Sequence, residues 1–81
     1  MYRFQKYVIP GSPVDVVRFM STLAYDPSRF DSLDEYIDWL SQNLWKFHGI
    51  GVQFSGSDLE SRCESLVHRL VEVGFMDVLE K

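Results

Sequence analysis

Four acids cluster between positions 31 and 38, as Asp31, Asp34, Glu35 and Asp38. Asp34 and Asp38, four residues apart, project from one side of any helix that carries them. Carboxylates paired in this way bind a divalent cation or divide acid–base work when a cleft holds them. Acids in the first turn of a helix are also what its dipole selects with no ligand at all. The dipole alone accounts for the cluster, so no metal site and no catalytic pair is expected there.

Cys63 and His68 are the only thiol and one of two imidazoles, a pairing that suggests nucleophile and base. Five residues of helix set them about 140° apart, which puts Cys63 in an apolar seam and His68 on the wet side. A core-facing cysteine behaves as a small inert hydrophobe. His48 suits the negative end of the helix that it closes. Gly49-x-Gly51 followed by Gly56-Ser57 has some ingredients of a phosphate-cradling loop, in which open N–H groups at a helix start meet an anion. The match is poor, because the first two glycines fall within a strand pattern, the P-loop lysine is missing and Asp58 would repel the ligand. No HExxH, CxxC, nucleophile elbow or Ser-His-Asp order occurs. The expectation is a protein that is not an enzyme and carries no cofactor.

A different signal comes from Trp39 and Trp45. In SLDEYIDWLSQNLWKFH, residues 32–48, a helical wheel gathers Leu33, Ile37, Leu40, Leu44 and Phe47 into a core seam with Tyr36 at its edge. Both tryptophans lie well round on either side of that seam. They are the candidate protein-contact residues, since Trp is favoured at interface hot spots, although a helix wedged between neighbours buries such residues too.

These residues are positioned by six elements. Tyr2 to Ile9 reads as a strand ending at Pro10-Gly11, with imperfect alternation that admits a bulge. Ser12 and Pro13 start a helix running to about Ala24, with Val16, Phe19, Met20 and Leu23 as its stripe. Asp26-Pro27-Ser28 marks a turn, and Ser32 with Glu35 forms a capping box for the second helix, which pairs with the first as a hairpin. Ile50, Val52 and Phe54 alternate with Gly51 and Gln53, the pattern of a strand. Ser57-x-x-Glu60 opens a third helix with the seam Leu59, Cys63, Leu66, Leu70 and Val73. Gly74 closes it, and Phe75 to Leu79 reads as a last strand. The expected fold is a single α+β domain over residues 1–81, in the order β-α-α-β-α-β, with three helices on one face of a three-stranded sheet.

Length and charge narrow the function further. Eighty-one residues support one core. An apolar share of 46% argues against disorder. Twelve acids against eight bases give a net charge of −4, which works against direct nucleic-acid binding. No apolar run reaches the roughly 20 residues of a membrane span, so no membrane partner is expected. One cysteine precludes an internal disulfide and favours a reducing, cytoplasmic home. The leading expectation is a small protein-interaction module whose partner is another protein or a second copy, reached through the aromatic-flanked helix or an open sheet edge. The alternatives are an acidic regulator that occupies a basic surface of a nucleic-acid-handling protein, and a small-ligand-binding domain.

Overall fold

The computed structural model describes residues 1–23 and 32–79. Asp31 and the Asp26-Pro27-Ser28 turn lie outside the described residues. The elements are β1 (Tyr2–Phe4), β2 (Tyr7–Ile9), α1 (Pro13–Thr22), α2 (Leu33–His48), α3 (Leu59–Glu72) and β3 (Met76–Val78). The three strands form an antiparallel sheet in the order β2-β1-β3. The class is the α+β domain expected, but the chain order is β-β-α-α-α-β.

Two strand assignments change. The first expected strand is a hairpin, with Phe4 opposite Tyr7 across the two-residue turn Gln5-Lys6. Gln5 adopts φ 56°, a conformation that usually announces itself by Gly or Asn. The reversal also explains the imperfect alternation. It brings Tyr2, Phe4, Tyr7 and Ile9 to the inner face, where they pack on the core, and leaves Arg3 and Val8 outside. Arg3 lies opposite Asp77 of β3, and the two form an ion pair at 2.8 Å.

The second change concerns residues 50–54, which join no strand. Their alternation does track burial, since Ile50, Val52 and Phe54 pack against the core while Gly51 and Gln53 are exposed. Side chains of α3 hold this strap in place of a partner strand. Arg69 Nε donates to the Gly51 carbonyl at 2.9 Å, and Ser55 N–H donates to Ser65 Oγ at 3.0 Å. A period of two therefore records one buried side here, with the backbone satisfied in another way.

The helix ends follow local chemistry. Ser12 Oγ accepts from Asp15 N–H while the Asp15 carboxylate accepts from Ser12 N–H at 3.0 Å, a complete capping box. Ser32 Oγ accepts from Glu35 N–H at 3.3 Å. At α3 the cap is Asp58, one residue beyond the expected Ser57, and it accepts from Ser61 N–H at 3.0 Å. Gly74, at φ 89°, passes its N–H to Val71 O while Phe75 N–H reaches Leu70 O at 2.9 Å. This pair of bonds is a Schellman closure, which needs a left-handed residue at that point.

The core joins all three helices to the sheet. Ile37, Leu66, Val16, Val17, Val67, Cys63 and Met76 are its largest fully buried side chains. Val17 and Val67 widen the stripes expected for α1 and α3. Leu23, expected on the α1 stripe, is exposed. α1 packs chiefly on α3, with a smaller contact to α2.

Candidate functional site

The α2 helix carries the described acids and both tryptophans, and α3 fixes its orientation. Asp34 and Asp38, on one side of α2, both meet Arg62 of α3. Its Nη1 donates to Asp34 Oδ1 at 2.6 Å, and its Nη2 donates to Asp38 Oδ1. The guanidinium also lies 4.9 Å from the centre of the Phe54 ring. Burial works against the Arg62 charge, but the hydrogen bonds it donates to Asp38 and Asp34 and their attraction outweigh it and hold its pKa above the ordinary value. The carboxylate pair thus has a partner of opposite charge within the chain. Among the described residues, no three His, Cys, Asp or Glu side chains converge as a metal site.

Trp39 and Trp45, alike in the sequence, part company in the structure. Trp39 is half-buried, packs against the core and stacks on Tyr36 with ring centres 6.0 Å apart. Its carbonyl accepts from Asn43 Nδ2 at 2.7 Å. Tyr36 is buried, and that burial pushes its phenol up to about 12. Trp45 is 66% exposed, and so is Phe47. Phe47 was expected on the core seam. All four residues of the last turn, Trp45 to His48, are exposed, because the helix outruns the core by one turn. Lys46 Nζ lies 5.4 Å from the centre of the Phe47 ring, and the His48 ring meets Phe75 edge-on at 5.2 Å.

The remaining candidates stay apart. Cys63 is fully buried and His68 is exposed on the far side of α3. Burial, with the Asp34 charge adding, pushes the Cys63 thiol up, away from a reactive thiolate. Gly49 caps α2 at φ 67° and Gly56 lies against Ser61, so both serve turns. The Asp58 carboxyl, held low by the N–H and hydroxyl of Ser61, fills the N-terminus of α3 where an anion would sit.

An open groove of about 740 Å³ runs between the strap and α3, bordered by Gln53, Glu64, His68 and Glu72. Its floor is already engaged internally. Ser65 bonds Ser55, and Arg69 bonds both the Gly51 carbonyl and Glu72. Arg62, Ser65 and Arg69 are the residues that sequence reasoning missed. Their spacing, i, i+3 and i+7, places them on one face of α3, and an Arg on that face is the natural complement of an i, i+4 acid pair.

No helix among the described residues is long and apolar enough to cross a membrane. No protein-family model matches this chain, and no curated protein or solved structure matches it significantly.

Proposed function

We propose that this domain is a non-catalytic protein-contact module of the cytoplasm whose working surface is the outer face and last turn of α2. The observation that carries the reading is the exposure of Trp45 and Phe47, 66% each, on a turn that adds nothing to the core. Large aromatics left in water are costly unless a partner covers them, and Trp is among the residues that dominate interface energetics. The buried, unreactive Cys63 suits both a reducing compartment and the absence of chemistry.

The acidic-regulator reading draws less support, because Arg62 already engages both Asp34 and Asp38 and offsets one of their two charges. The ligand-binding reading rests on a groove whose Ser65 and Arg69 serve the strap. The test is capture from the native host's extract with wild-type and Trp45→Ala protein, alongside urea unfolding of each. Specific capture lost in the variant at an unchanged unfolding midpoint supports the proposal. Equal capture by both proteins contradicts it.

A further inference from the structure

We propose a second contact surface, separate from the α2 face: the outer edge of β3 and the cleft beside it take an extended, basic segment of a partner protein as a fourth strand. The hydrogen-bonding groups of the edge come first. Leu79 N–H donates to Met1 O at 2.9 Å, and paired residues of an antiparallel ladder alternate between exchanging hydrogen bonds and not. Asp77, opposite Arg3, therefore turns its N–H and C=O toward β1, while those of Met76 and Val78 turn outward. β3 ends the sheet, so among the described residues no strand receives them. The other edge is guarded, since Lys6 and Pro10 flank β2, and a charge or a proline there deters pairing. Phe75 and Leu79 flank β3 and give no such protection.

A cleft of about 170 Å³ adjoins this edge. β3 runs back along α3, which brings Val78 beside Val67 and Val71, with Tyr2 behind. Around α3, Val67, Val71, Glu64 and His68 follow one another over about 100°, and pass from buried through half-buried to exposed. The cleft therefore has an apolar floor and opens outward past Glu64 and His68. Val78, 52% exposed, is its uncovered wall. On an added strand the residue opposite Val78 points to the same side of the sheet and lies against Val71. An aliphatic side chain fits that place.

Charge decides what stands next to it. Glu64 pairs with no base among the described residues, and a net charge of −4 draws a cationic partner in. Glu64 lies about 10 Å from Val71 along the helix, within reach of a Lys or Arg two residues, about 7 Å, along the added strand. Main-chain bonds to Met76 and Val78 supply the affinity of such a complex, and the aliphatic–basic pair supplies its selectivity.

Titration of the full chain with the peptide acetyl-TKTVTVT-amide, followed by amide chemical shifts and hydrogen exchange, tests the proposal. Exchange of the Val78 N–H should slow about tenfold when the edge is nine-tenths occupied. Glu64→Gln should weaken binding about threefold, the scale of an exposed ion pair. N-methylation of the peptide's central Val, which leaves the protein untouched, should abolish binding, and so should Val78→Lys. No shift at millimolar peptide overturns the proposal. So does binding that leaves Val78 exchange unchanged, survives N-methylation, or is as tight for a peptide with Glu in place of Lys. Protection of Val78 that grows with protein concentration in the absence of peptide would assign the edge to a second copy, and overturns it too. Each of these results leaves the α2 reading to the capture assay.

Discussion

Replacing Arg62 by alanine removes a side chain that ties α3 to both α2 and the strap. Its side chain is 16% exposed, while those of Asp34 and Asp38 are 50% and 58% exposed. Half-exposed carboxylates limit each ion pair to about 0.5 kcal/mol. The cation–π contact with Phe54 adds about 0.5–1 kcal/mol, and the buried stem contributes about 1 kcal/mol more through lost packing. The expected loss is about 2–3 kcal/mol, or a drop in Tm of roughly 10–20 °C for a domain of this size. Urea unfolding followed by circular dichroism measures it. A cycle with Asp34→Asn separates the ionic part, which 1 M salt should reduce while the packing part remains. A loss below about 0.5 kcal/mol, the usual scale of a bland surface change, would refute the tether.

Other expectations follow from single residues. Gly49→Ala meets no steric obstacle, as nothing lies within 4 Å of the added Cβ, yet it should cost about 1 kcal/mol by thermal unfolding because φ 67° is left-handed. The Asp58 carboxyl is held below its ordinary value of 3.8 in the native state. The unfolded chain therefore binds its proton first as pH falls. Its stabilising effect is present in full above 3.8, and is lost as pH drops through the lower native value. The stability advantage of wild type over Asp58→Asn should accordingly be constant at neutral pH and fade on acidification; an advantage that grows in acid would contradict the cap. Cys63 should react with a thiol reagent only through opening of the domain, so its labelling rate should rise steeply with urea. Labelling in buffer as fast as in denaturant would place it at the surface.

The helices were legible in the sequence because their signals agree with one another. Ser32 caps α2, the Leu59–Cys63–Leu66–Leu70 seam defines α3, and Gly74 ends it as its position promised. The hairpin was hidden because Gln5 turns the chain without a turn residue. Residues 50–54 misled for the opposite reason. Their alternation is real, but the bonds that satisfy the strap come from Ser65 and Arg69, which a one-dimensional pattern cannot pair with it. Trp39 and Trp45 occupy matching places on the helical wheel, and only the length of the core decides which is covered. Asp34 and Asp38 were legible as an i, i+4 pair that needs no ligand, but their partner Arg62, 28 and 24 residues away, was not.

The most direct test of α2 as a contact surface is quantitative capture from the native host's extract, wild type beside Trp45→Ala, with urea unfolding of each. The account predicts specific capture by wild type that is largely lost in the variant at an unaltered unfolding midpoint. Equal capture by the two proteins at equal stability would contradict it.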